Sequence, residues 1–256
     1  MYHKTRKSSI DKEKLIYGRH PIMDAIDNGQ SIDKIMLSKS VKGEFEKDLR
    51  RICKERNIPL HIVPKDRIDS VTRKNHQGVV GFLAYVEYQL IEDVFPLIYE
   101  RGEVPLVVVL DSVTDVRNMG AIARSAEAAG AHALIVPHKK TAQINAEAMK
   151  TSAGALSKIP VCRAASLGNA LDYLLMNGVQ VIAADLRGER KLYELDLTIP
   201  TAIVMGAEGE GIRPHITRKA NELFQIPMQG TTDSFNVSVA TGIILYETMR
   251  QRILSV

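Results

Sequence analysis

The stretch "PLVVVLDSVTDVRNMGAIARSAEAAG", Pro105 to Gly130, decides the fold. Its first seven residues are an apolar, β-branched run that ends on Asp111. A polar turn follows, and Asn118 is placed to N-cap a helix carrying Ile122, Ala126 and Ala129. Arg124 lies on a small-residue face of that helix, from which its guanidinium can turn inward toward the strand ends. Runs of the same texture recur at "ALIVP" (133–137), "GVQVIAAD" (178–185), "TAIVMG" (201–206) and "LFQIPM" (223–228), with helical stretches between them. Near-continuous apolar strands alternating with helices predict an α/β domain whose parallel sheet is covered on both faces. The chain then closes on a long apolar-rich helix, "NVSVATGIILYETMRQRIL".

Upstream the texture changes. Residues 89–103 carry four acids against one Arg and are interrupted by Pro96, which predicts a linker or a bridging helix. Residues 14–88 alternate short patterns of both kinds. "GRHPIMDAIDNG" predicts a helix burying Ile22, Ala25 and Ile26, with Gly29 as its C-cap. "KGEFEKDLRRICKERN" predicts an amphipathic helix on Phe45, Leu49 and Ile52. The organisation expected is a basic, unordered tail over 1–13, a small α/β unit over 14–88, a linker over 89–103 and the parallel-sheet domain over 104–256.

Composition bounds the function. At 256 residues and 45% hydrophobic, the chain buries one large core or two modest ones. No apolar run approaches the ~20 residues of a membrane span, and the start "MYHKTRKSSIDKEK" lacks the apolar core of a secretory signal. The only cysteines, Cys53 and Cys162, stand far apart with no CxxC or His partner, which fits a reducing, cytoplasmic setting. The seven histidines form no HxxxH or HExxH pair, so no metal site is expected. Residues 1–88 hold 18 Lys/Arg against 12 Asp/Glu, whereas 104–256 are almost balanced. A basic N-terminal unit fits either a nucleic-acid contact or an ordinary solvated surface.

Ligands in open parallel sheets bind at the carboxyl ends of strands, and three motifs fall there. The first is the turn and helix start after Asp111. The second, "MGAEGEGI" (205–212), is neither a Walker A loop nor GxGxxG, and Glu208 and Glu210 would repel a phosphate. It reads as a strand-to-helix turn with solvated acids, or as a turn against a neutral or cationic ligand. The third, "IPMQGTTDSFNVSVATG" (226–242), is a small polar loop with Ser234 or Asn236 available as helix cap. His76 in "NHQGVV" reads as a hydrogen-bonded structural histidine.

Together the three motifs resemble those of the SpoU (TrmH-like) RNA ribose 2′-O-methyltransferases. Asn118, Gly120 and Arg124 match the first. Gly206, Glu208, Gly209, Gly211 and Ile212 match the second. Ile226 to Gly230 with Ser234 to Ala240 match the third. "YGRHPIMDAI" and "NHQGVVGFLA" resemble the ribosomal-protein-like substrate-binding domain of the 23S rRNA guanosine branch. Val116, where members often have Pro, and Phe235, where Leu is commoner, are departures. The resemblance implies a C-terminal domain with a deep trefoil knot, S-adenosylmethionine as cofactor, RNA as substrate and a homodimer. It implies Asn118, Arg124, Glu208 and Asn236 as catalytic residues. Gly206, Ile226, Met228, Phe235 and Val237 are expected at the cofactor, and Arg19, His76 and Arg117 at the RNA. The competing readings are a tRNA methyltransferase of the same family, a non-catalytic RNA-binding or ribosome-assembly factor, and an open-sheet nucleotide-binding enzyme.

Overall fold

The computed structural model describes residues 14–207 and 209–255, so the expected tail over 1–13 and Glu208 lie outside the described residues. The chain divides into two compact units at Tyr85–Val86.

The first unit runs β1 (Leu15–Tyr17), α1 (Arg19–Asp27), β2 (Ile32–Ser38), α2 (Glu44–Glu55), β3 (Leu60–Val63), α3 (Lys65–Asp69) and β4 (Val79–Leu83). Its sheet among the described residues has the order β1-β4-β2-β3, antiparallel except for the β2–β3 pair. α1 buries Ile22, Ala25 and Ile26, as its spacing predicts. Asn28, rather than Gly29, is the capping residue of that helix, and Gly29 follows it at φ 68°. This is the left-handed position where glycine carries no Cβ penalty. α2 buries Leu49 and Cys53, with Phe45 and Ile52 packed against the same cluster.

The second unit runs β5 (Tyr88–Gln89), α4 (Ile91–Glu100), β6 (Leu106–Asp111), α5 (Val116–Ala128), β7 (Ala133–Pro137), α6 (Ala146–Thr151), β8 (Val161–Ala164) and α7 (Leu167–Met176). It continues with β9 (Gln180–Ala184), β10 (Arg190–Lys191), β11 (Thr201–Gly206), α8 (Pro214–Thr217), β12 (Glu222–Gln225) and α9 (Val237–Leu254). The sheet order is β10-β12-β9-β11-β6-β7-β8-β5, and every pair is parallel. All six residues of β6 and all five of β7 are buried, which explains their unbroken apolar runs. The acidic stretch read as linker or bridging helix contains α4. Ile91, Val94, Phe95 and Ile98 recur on one face of α4 and join the core beneath β6, β7 and β9.

Chain order reverses in the middle of this sheet. β6, β7 and β8 step outward in one direction, and β11 then inserts between β6 and β9 on the other side. The C-terminal ends of β6 and β11 therefore lie side by side at the switch point, with Gly206 paired to Asp111.

Candidate active site

Asp111 is the last residue of β6 and is fully buried. Its carboxylate accepts from the Arg213 backbone N–H at 2.8 Å and from the Arg213 guanidinium at 2.7 Å. The Ser112 hydroxyl adds a third donor at 3.3 Å. A buried carboxylate is costly unless paired and hydrogen-bonded, and this one is both. The pair fastens the exit of the glycine-rich turn to the strand leading into the first motif. Sequence reading missed it, although an Asp closing an apolar strand was the visible signal.

The glycine-rich turn folds back on itself. Ala207 and Gly211 exchange backbone hydrogen bonds of 3.1 and 2.9 Å, and Gly209 and Gly211 take φ 80° and 68°. A Cβ on Gly206 would lie 2.3 Å from the Gly211 carbonyl carbon and 2.5 Å from Ile212 N. Gly206 is thus required by the returning loop's own backbone. Glu210 is exposed, and Ile212 is buried in the core.

Asn118 was expected to cap α5, but Asp115 does so. Its carboxylate accepts from the N–H groups of Arg117 at 2.8 Å and Asn118 at 3.0 Å, so the helix starts at Val116. The Asn118 side chain is thereby spared from capping, and its carbonyl oxygen accepts from the Asn236 amide at 3.1 Å. Asn236 caps α9, its oxygen accepting from Ser238 N and Val239 N. Gly120 lets α5 approach α6, since a Cβ there would meet Ala148 O at 2.7 Å. Arg124 is exposed rather than turned inward, and it has no hydrogen bond or ion pair among the described residues. Arg117 is exposed and paired with Glu147 at 2.8 Å; that hydrogen bond raises its pKa further above the ordinary arginine value.

After β12, Ile226 and Met228 are half-buried, Phe235 is 38% exposed and Val237 is buried at the start of α9. The end of β9 contributes a fourth loop that sequence reading left out. Asp185 N–H donates to Phe224 O at 3.0 Å, and Gln225 Nε2 donates to Leu186 O at 2.5 Å. Gly188 sits where a Cβ would meet the Phe224 backbone at 2.6 Å. Leu186 is left 62% exposed beside the end of β12.

A sulfonium cofactor carrying a purine needs apolar walls, free backbone polar groups and no cation crowding the sulfur. Ile226, Met228 and Phe235 supply apolar surface, and neither 206–212 nor 226–236 contains a Lys or Arg. The residues therefore fit S-adenosylmethionine. Burial pushes the Cys53 thiol up to about 11 and the Cys162 thiol to about 12, so neither is a nucleophile at neutral pH. Among the described residues no group of three or more His, Cys, Asp or Glu is placed to hold a metal ion.

The remaining residues expected at the RNA lie in the first unit. Arg19 is exposed, with its guanidinium 5.0 Å from the Phe45 ring centroid. His76 is buried. Its Nδ1 accepts from Gly78 N–H at 3.0 Å, which leaves the proton on Nε2 to donate to Asp69 at 2.7 Å.

Comparison with known proteins matches residues 105–246 to the SpoU rRNA Methylase family and residues 15–89 to the RNA 2′-O ribose methyltransferase substrate binding domain. The 23S rRNA (guanosine-2′-O-)-methyltransferase RlmB of Yersinia pestis is 36% identical over 93% of this chain and 98% of its own. YacO of Bacillus subtilis, named as a TrmH family tRNA/rRNA methyltransferase, is 30% identical over 93% of this chain and 95% of its own. The crystal structure of the SpoU methyltransferase AviRb from Streptomyces viridochromogenes in complex with AdoMet superposes with a TM-score of 0.59. It is 27% identical and covers 94% of this chain and 90% of that one. The fold is accordingly of the SPOUT α/β type, with a C-terminal parallel sheet and a separate N-terminal substrate-binding unit.

Proposed function

The chain belongs to the SpoU rRNA methylase family, and on that footing we propose that its substrate is a guanosine of 23S rRNA. It is an S-adenosylmethionine-dependent RNA ribose 2′-O-methyltransferase of the SpoU/TrmH type. The observation that carries the catalytic reading is the Asn236–Asn118 hydrogen bond. It joins the first and third motifs across 118 residues of sequence at the ends of adjacent loops. The rRNA reading is favoured by the likeness to RlmB along nearly the whole of both chains. A guanosine of tRNA is the second reading, favoured by YacO, whose name covers both substrates.

S-adenosylmethionine, when bound, supplies a methyl group on a positively charged sulfur. Ile226, Met228, Phe235 and Val237 hold it, with the Gly206 turn beside them. A guanidinium stays protonated at any physiological pH, so Arg124 does not act as a base. It donates to the ribose 2′ oxygen and an adjoining phosphate, and stabilises the charge that develops as the hydroxyl proton passes to solvent water. Asn118 and Asn236 fix the strand-end loops around that point, which is the positioning an in-line transfer needs. Glu208, outside the described residues, is assigned as a further acceptor for Asn118. Arg19 and Arg117 are assigned to the RNA backbone, and His76 to shaping its turn.

The enzyme is assigned to the cytoplasm and to a homodimer. Among the described residues no helix is long and apolar enough to cross a membrane. α9 carries an exposed apolar stripe of Val239, Tyr246 and Ile253 at a seven-residue spacing, a surface suited to a second copy.

Mapping 2′-O-methylation on total RNA from cells lacking the chain tests the substrate. One guanosine of 23S rRNA is expected to lose its methyl group and to regain it on complementation. Unchanged rRNA with a tRNA guanosine unmethylated would replace this reading with the second.

A further inference from the structure

A cavity of about 610 Å³ opens in the first unit, where the start of α1, the β2–α2 loop, the start of α3 and the turn before β4 converge. Four cations line it: Arg19, Lys42, Lys65 and Lys74. Among the described residues the only acid on its wall is Asp69, and that carboxylate accepts from His76 Nε2–H. Lys42 lies 3.9 Å from Glu46, while Arg19, Lys65 and Lys74 have no carboxylate partner among the described residues. Two of the cations are held in place by aromatic rings. Arg19 stacks on Phe45, and the Lys74 ammonium sits 5.3 Å from the Tyr17 ring centroid.

The wall is built rather than incidental. Gln77 takes φ 50°, an uncommon conformation for a residue with a side chain, and its Oε1 accepts from Arg19 N–H at 3.0 Å. Gly78 at φ 78° leaves no room for a Cβ, which would come within 2.4 Å of Val41 Cγ2. His76 ties that turn to α3 through Asp69 and to its own backbone through Gly78. The side-chain NH2 groups of Asn75 and Gln77, both on the cavity wall, donate to no group among the described residues.

The space is open to solvent and, at about 610 Å³, has room for more than a phosphate alone. Concave space, a surplus of positive charge and free amide donors together suit an RNA backbone with one base turned out of its stack. Resting on the reading of the chain as an RNA methyltransferase, we propose that this cavity binds one unpaired nucleotide of the substrate RNA. Arg19, Lys42, Lys65 and Lys74 take the phosphates flanking it, and Asn75 and Gln77 take the edge of its base. The first unit thereby selects substrate by a looped or single-stranded element of the RNA.

The test uses the full-length enzyme, unmodified 23S rRNA transcribed in vitro and a fully paired RNA duplex as competitor. In the double variant K65A/K74A, KM for the rRNA should rise at least tenfold with kcat and the Kd for S-adenosylmethionine within twofold of wild type. The slope of log affinity against log salt should shrink by about 1.5, as expected for two lost phosphate contacts. Asn75→Ala should raise KM several-fold without changing that slope, because an amide neutralises no phosphate. The duplex should compete at least tenfold more weakly than an RNA of the same length containing an unpaired loop. A double variant with wild-type KM and salt slope, or a duplex that competes equally well, overturns the proposal while leaving the enzyme's activity in place. Failure of the wild-type enzyme to methylate any RNA would instead remove the reading on which it rests.

Discussion

Asp111 and Arg213 stand 102 residues apart in sequence, yet their side chains meet at 2.7 Å. Asp111 is fully buried and Arg213 about one third exposed, so the two ends of the pair respond differently to truncation. In Asp111→Ala the guanidinium can turn toward water, but Arg213 N–H loses its acceptor. A cost of about 2–3 kcal/mol is expected, below the ~3–5 kcal/mol of a pair buried at both ends. Chemical denaturation followed by fluorescence or circular dichroism measures it. The same loss frees the glycine-rich turn, so the Kd for S-adenosylmethionine should rise about tenfold by calorimetry. An unchanged Kd in a folded variant would separate the pair from the cofactor turn. Arg124 makes the opposite case, since it is exposed and holds nothing in the described fold. Arg124→Ala should leave the melting temperature and cofactor affinity as they are and cut methyl transfer by about 10²-fold or more, the scale of a lost oxyanion donor. Near wild-type turnover would remove Arg124 from the chemistry.

At the scale of elements, apolar patterning carried most of the fold into view. β6, β7, β9, β11 and β12 lie where the apolar runs predict them, α1 buries Ile22, Ala25 and Ile26 as its spacing selects, and α2 buries Leu49 with Phe45 and Ile52 packed partly buried beside it. Cap identity was less legible. Asp115 and Asn118 are both competent caps three residues apart, and only the observed bonds to Arg117 N and Asn118 N decide between them. The choice matters, because it leaves the Asn118 side chain available to Asn236. Gly206 shows a second limit. A glycine after a strand marks a close backbone approach, but sequence does not say whose backbone approaches. Here it is Gly211 and Ile212, two members of the same turn. The Asp111–Arg213 pair and the loop after β9 were hidden for a related reason. Both depend on strand order, and β11 inserting between β6 and β9 brings together residues that no periodicity connects. The acidic segment before β6 left a linker and a bridging helix both open, and α4 forms there with Ile91, Val94, Phe95 and Ile98 buried.

For the molecule as a whole, α9 raises the question of what covers it. One side of the helix is committed: Ala240, Thr241, Ile244, Leu245 and Thr248 are buried, and Arg252 donates to the backbone carbonyls of Leu197, Ile199, Val104 and Pro105. The other side exposes Val239, Tyr246 and Ile253, at 51, 67 and 68%. A seven-residue repeat keeps these three on one line along the helix, which is how a helix presents a seam to a partner. A symmetric dimer lets one such stripe meet its own copy, so a single apolar line serves both sides of the interface. Stable interfaces bury about 1,200–2,000 Å² in total, more than three side chains supply, so neighbouring surface must join them. The expected outcome is a homodimer at micromolar concentration by sedimentation equilibrium, converted to monomer in Y246K/I253K with each unit still folded by circular dichroism. The stripe begins three residues beyond Asn236, so the monomeric variant should also lose methyl transfer if the interface steadies the third motif. A wild-type enzyme that sediments as a monomer would leave the stripe without this role, and a variant that stays dimeric would move the interface elsewhere.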